Sequence, residues 1–166
     1  MDVQRRYWQE LADLKRDSIY IDLYQARTEK IDRAIGGFTA VTSSASIGAW
    51  VIWKEWAFFW GTAIAAAQVL QAIKEFLPYK KRLRALTGLS QELNGLAWSA
   101  ENDWFKISRG MLTEEEIHEI HMKMKKKKQE AVQKSFPASS LPEVKKLGGQ
   151  ADKSASDYLK SYYGAN

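Results

Sequence analysis

Along this chain the spacing of apolar positions changes character twice, near residue 34 and near residue 78. Upstream, apolar side chains recur among charged ones at helical intervals. Tyr7, Leu11, Leu14, Ser18 and Ile21 fall at heptad-like spacing, with Trp8, Ile19 and Leu23 widening the face. Residues 3–32 therefore predict one long helix with a single packing seam. Then the charges stop. Residues 34–53 (AIGGFTAVTSSASIGAWVIW) carry none, Lys54 and Glu55 interrupt, and residues 56–73 (WAFFWGTAIAAAQVLQAI) again carry none. Twenty helical residues rise about 30 Å, the thickness of a bilayer's hydrocarbon core. In hydrocarbon each backbone polar group must be satisfied within its own segment, so the pattern predicts a two-helix transmembrane hairpin over 34–77. A soluble bundle with two buried core helices is the competing reading, since the first segment holds five Ser/Thr residues.

Aromatic and basic residues favour the membrane. Trp50, Trp53, Trp56 and Trp60 gather around the turn, four of the seven tryptophans within eleven residues. Indole rings prefer the lipid–water boundary. Lys15, Arg16, Arg27, Lys30 and Arg33 precede the first span, and Lys74, Lys80, Lys81, Arg82 and Arg84 follow the second, while the turn has only Lys54. The positive-inside rule then places both termini in the cytoplasm. Residues 1–30 are charged throughout, and no signal peptide is expected there.

Two stripes mark the spans. Gly36, Ala40, Ser44 and Gly48 recur every fourth residue on the first helix, and Gly61 with Ala65, or Ala63 with Ala67, on the second. Small residues at this spacing let helix backbones approach closely in lipid, within the hairpin or between subunits of a homo-oligomer. Thr39, Thr42, Ser43 and Ser46 form a hydroxyl stripe on another face, and Gln68 extends the Gly61–Ala65 row. Such residues can line a pore, or their hydroxyls can bond back to the carbonyl one turn earlier.

Past the spans, Pro78 is expected at a kink or helix restart. Leu86, Leu89, Leu93, Leu96, Ala100 and Ile107 then make a second seam, which Gly88 and Gly95 weaken. Pairing the two seams gives an antiparallel cytoplasmic stalk, within one chain or between subunits. Arg109-Gly110 should end that helix. Thr113 with Glu116 is a capping box for the next, its first turn acidic and its body basic over residues 123–128 and at Lys134. That run reads as a solvated face, or as a contact for anionic lipid or nucleotide. Residues 136–149 read as a loop and 150–163 as a short helix with Ala151, Ala155, Tyr158, Leu159 and Tyr162 on one side. The expected organisation is all-α: a cytoplasmic helix (1–33), the hairpin (34–77), cytoplasmic helices (78–135), and a loop with a short C-terminal helix (136–166).

Composition narrows the chemistry. The chain has 166 residues, a net charge of +5 and no cysteine, so disulfides and thiolate metal sites are excluded. A basic balance suits an anionic partner. The first 33 residues nevertheless balance seven basic against seven acidic side chains. His118 and His121 stand three apart on a helix expected to be exposed, and with no third histidine they read as a surface pair without a metal. No phosphate loop, nucleophile elbow or dinucleotide fingerprint is present. No catalytic residue, cofactor, metal or specific nucleic-acid partner is expected.

The charged helix ending in DLYQARTEKIDRA, the two close spans and the following YKKRLRALTGLSQELNGLAW together resemble the SLATT superfamily over residues 18–109. The resemblance implies a two-transmembrane effector of the bacterial inner membrane. It would oligomerise and form a pore or perturb the membrane in anti-phage defence, triggered by a signalling protein or a nucleotide. A holin-like lysis protein and a non-permeabilising anchor that recruits a soluble partner are the alternatives.

Overall fold

The computed structural model describes residues 2–45, 57–76, 79–137 and 143–164. Among these residues it is all-helical, with no strand: α1 Asp2–Ala45, α2 Ala57–Phe76, α3 Tyr79–Ser108, α4 Glu114–Ser135 and α5 Lys145–Tyr163. Two compact units form. One joins Met1–Gln25 to Arg84–Asn166, and the other is Ala26–Leu83.

The first unit forms because the two predicted seams meet within one chain. Tyr7, Leu11, Leu14 and Ile21 of α1 are buried with Leu86, Leu89, Leu93, Ala100 and Ile107 of α3. Their polar neighbours fix the direction. The Tyr7 hydroxyl donates to the Ala100 carbonyl at 3.2 Å, Lys15 pairs with Glu101 at 3.1 Å, and Ser90 and Asn94 donate to Asp22. From Tyr7, beside Ala100 and Trp104, to Asp22, beside Asn94 and Ser90, numbers rise on α1 and fall on α3, so the pair is antiparallel. Gly88 and Gly95 do not interrupt α3. Leu86, Leu89 and Leu93 around them are buried and Leu96 half-buried, and that packing outweighs about 1 kcal/mol of helix propensity per glycine.

Helix ends follow the local chemistry. Gly110 adopts φ +66, which an L side chain rarely does. Its N–H bonds to Ile107 O while Met111 N–H bonds to Lys106 O, a Schellman closure of α3. Thr113 and Glu116 form the reciprocal capping box at the start of α4. Ile117, Met124 and Ala131, seven residues apart, bury the inner edge of α4.

Three expectations are corrected. Helix α5 begins at Lys145 rather than near 150, so Gly148-Gly149 is helical and not loop. Leu147, Gly148, Ala151, Ala155 and Leu159 are buried there, and the Tyr20 hydroxyl accepts the Val144 N–H at 3.0 Å just before the first turn. A small-residue face that packs closely outweighs the turn propensity of the glycine pair. Tyr162, expected on the packed side, is 70% exposed, although its ring rests 4.6 Å from that of Tyr158. His121 is not a surface residue, since its side chain is 11% exposed and its ring meets the edge of Tyr7.

In the second unit, α1 runs without a break across the expected boundary at residues 33 and 34, to Ala45. Helix α2 is mostly apolar but includes Gln68, Gln71, Lys74 and Glu75. Among the described residues no helix is long and apolar enough to cross a membrane. Residues 46–53 of the first expected span, and Pro78, lie outside the described residues.

Candidate functional site

Within the second unit, the small-residue rows separate into a covered and an open side. Ala67 is buried and Ala63 half-buried, whereas Gly61, Ala65 and Gln68 are exposed. A methyl placed on Gly61 would meet nothing within 4 Å. Intramolecular packing on α2 therefore uses the Ala63–Ala67 register and leaves the Gly61–Ala65–Gln68 row outward. On α1, Gly36 is half-buried and Ala40 exposed. Ser43 and Ser44 lie in the last turn of α1, and Ser46 and Gly48 lie outside the described residues.

The two threonines of the hydroxyl stripe bond back onto their own helix. Thr39 donates to Ile35 O at 2.8 Å and to Gly36 O at 3.0 Å. Thr42, which is buried, donates to Phe38 O at 2.9 Å and to Thr39 O at 3.1 Å. Thr62 on α2 does the same toward Phe58 O. Back-bonding of this kind satisfies a hydroxyl without water or a partner helix. Of the tryptophans expected at the membrane interface, Trp60 sits in the first turn of α2, and Trp50, Trp53 and Trp56 lie outside the described residues.

Large apolar side chains face outward along the same unit. Phe58 is 89% exposed, and Phe38, Val41, Phe59, Val69 and Ile73 are also exposed. These six stand in a unit whose described buried side chains are Thr28, Thr42 and Ala67 alone.

In the first unit, charge is concentrated where α4 meets α1. Glu10 Oε2 lies 3.5 Å from Lys125 and 3.7 Å from His121 Nε2, and Glu10 Oε1 lies 3.5 Å from Lys128. Lys128 also reaches Asp17 at 2.8 Å. Burial works against the Lys128 ammonium, but the Asp17 and Glu10 carboxylates more than offset it and hold its pKa above the usual value. For His121 burial prevails over the Glu10 carboxylate, with Lys125 and His118 adding repulsion, so its pKa falls below 6.5. The His121 Nε2 atom is buried without a hydrogen-bond partner. Asp17 also neighbours Arg16, which bonds Asp152 of α5. On the other side, the Tyr158 hydroxyl donates to Glu101 at 2.9 Å, Lys15 sits 3.7 Å over the Tyr158 ring, and burial with the Glu101 carboxylate pushes Tyr158 up to about 12.

The basic run is thus partly a structural seam, which the sequence reading did not identify. The signal was there: Ile117, Met124 and Ala131 mark α4 as a packed helix, and Lys128 falls one turn past Met124 on that face. No group of three or more His, Asp or Glu side chains among the described residues could hold a metal ion. No protein-family model, curated protein or solved structure matches the chain.

Proposed function

We propose that this protein is a small membrane effector, in which residues 34–77 enter the bilayer as a helical hairpin and the helices on either side stay in the cytoplasm. The observation that carries this reading is the outward row of Phe38, Val41, Phe58, Phe59, Val69 and Ile73. Water is a poor solvent for such a surface, and lipid chains are a good one. The uncharged stretches 34–53 and 56–73, the tryptophans between them and the basic flanks add support. Gln68, Gln71 and Lys74 make α2 less apolar than a typical span, and residues 46–53 of the first span lie outside the described residues. The resemblance to the SLATT superfamily supports a bacterial inner-membrane effector that assembles from several copies and perturbs the bilayer. The open Gly61–Ala65–Gln68 row is the surface on which copies would meet. No catalytic or cofactor role is proposed. The trigger in this reading is a signalling protein or a nucleotide.

A second reading, a membrane anchor that does not permeabilise, is favoured by one observation: the Thr39 and Thr42 hydroxyls are satisfied by their own helix. Leakage per inserted molecule separates the two. Induced expression of the parent chain should release a small dye and collapse the membrane potential. The double substitution Ser43→Leu, Ser46→Leu should insert equally well and leak less, because an apolar constriction blocks conduction by dewetting. A parent chain that inserts without leaking would leave the anchor reading in place.

A further inference from the structure

The lysines of α4 fall into two groups. Lys125, Lys126, Lys128 and Lys134 each meet a carboxylate: Glu10, Glu130, Glu10 with Asp17, and Glu92. Among the described residues, Lys123 and Lys127 have no carboxylate within ion-pairing reach, and both line one crevice of about 260 Å³ between α3 and α4. Lys127 also lines the adjoining cavity of about 390 Å³. Two like charges at i and i+4 share a helix face and repel each other, so an anion between them is stabilised by both.

Ser99 of α3 lines both cavities. Its hydroxyl makes no hydrogen bond among the described residues, whereas those of Ser18 and Ser108 in this unit donate to helix carbonyls. Asp103 also lines the smaller crevice. The Tyr7 hydroxyl at the same crevice is committed to Ala100 O, and burial together with Asp103 opposes its ionisation. The crevice therefore offers two ammonium groups and a hydroxyl as donors, with a single carboxylate as acceptor.

We propose that this crevice binds the phosphate monoester of a small hydroxyl-bearing molecule, with Lys123, Lys127 and Ser99 donating to phosphate oxygens and Asp103 accepting from a ligand hydroxyl. Two ammonium groups match a dianion better than they match a carboxylate. Charge-assisted hydrogen bonds to phosphate are the strong class of such contacts. A long polyanion gains less, because in the adjoining cavity Glu92 and Glu130 balance Lys127 and Lys134 and add no net positive charge. The site does not depend on the bilayer reading above and can be tested whichever way that reading falls.

The test is calorimetric titration of the full chain in a zwitterionic detergent. Glycerol 3-phosphate is the soluble probe. 1-Hexanoyl lysophosphatidic acid, which keeps a free 2-hydroxyl, is its lipid-borne counterpart, with 1-hexanoyl lysophosphatidylcholine as the control for the acyl chain. Glycerol 3-phosphate should bind. Lys123→Ala and Lys127→Ala should each weaken binding about ten-fold or more. Lys126→Ala, which removes a lysine already paired with Glu130, should leave it unchanged, and circular dichroism should show all variants equally helical. Lys127-dependent binding of the lysophosphatidic acid alone would keep the site and identify the phosphate as a lipid headgroup. Absence of Lys127-dependent binding to either probe would overturn the proposal. So would an equal loss in Lys126→Ala, which would mean that net charge, not this crevice, attracts the anion.

Discussion

The two units of this molecule differ in how many apolar side chains they bury. In the unit built from Met1–Gln25 and Arg84–Asn166, Tyr7, Leu14, Leu86, Leu89 and Ile107 are fully buried. In the unit spanning Ala26–Leu83, the described buried side chains are Thr28, Thr42 and Ala67, while Phe58 and Val41 are 89% and 61% exposed. The first unit has a large apolar core, although Trp98, Phe105, Met111, Met122 and Tyr162 stay exposed on its surface. In the second unit exposure of large apolar side chains comes with little burial, and in the proposed reading lipid covers them. Hydroxyls of Thr39, Thr42 and Thr62 close onto their own helices, as do those of Ser18 and Ser108 in the first unit, where Tyr7, Asp22, Lys128 and Tyr158 also bond between helices. Such closure is compatible with lipid, where backbone groups must be satisfied within the helix.

Shortening a core leucine should break the comparison most visibly. Leu89→Ala removes a fully buried side chain and should cost about 2–5 kcal/mol, read as a large drop in the thermal midpoint of the helical signal. Phe58→Ala, in the open unit, should leave that midpoint within about 0.5 kcal/mol of the parent. Equal losses would mean that the second unit has a core of its own.

Lys128→Ala comes next. It leaves Glu10 and Asp17 facing each other across the α1–α4 seam with one cation fewer. Lys125 and solvent still screen Glu10, so the loss should be about 1–3 kcal/mol, toward the lower end of what a removed buried partner costs. Lys126→Ala, whose partner Glu130 is on its own exposed helix face, should cost about 0.5 kcal/mol or less. Denaturant midpoints of the two variants compare a structural lysine with a solvated one.

Thr113→Ala removes the side chain that accepts from Glu116 N and should cost about 1 kcal/mol, seen as fraying of α4 by amide exchange. The smallest effect is the pH response of His121. Burial lowers its pKa below 6.5, so the unfolded chain binds its proton more readily than the folded one. Its contribution to stability is complete above pH 6.5 and is lost as pH falls through the lowered value. The midpoint of the parent should therefore decline between pH 7 and 5.5 more steeply than that of His121→Gln. Parallel profiles would place the titrating group elsewhere.

Both seams of the first unit were legible in the sequence, because heptad spacing survives wherever a helix has one apolar face. Tyr7, Leu11 and Leu14 on one seam, and Leu86, Leu89 and Leu93 on the other, were readable, but that the two seams meet within one chain rather than between subunits required the fold. The capping box at Thr113 and the stop at Gly110 were legible too, since each depends on a few adjacent residues. What α4 and α5 pack against was not legible. Lys128 sits in a run of lysines, and composition alone does not say which of them meets Glu10 and Asp17. The Gly148-Gly149 pair has turn propensity, and only its position against α1 makes it helical. The candidate site was readable in part. Small residues at every fourth position marked α2 as a packing helix, but choosing Ala63–Ala67 over Gly61–Ala65 as its covered side required the fold.

The central claim, that lipid covers the second unit, is tested most directly by fractionating cells that express the full-length chain and washing the membranes in alkaline carbonate. The account predicts that the protein stays in the membrane pellet through the wash and is released only by detergent. Recovery of the intact chain in the soluble fraction, without detergent, would contradict it.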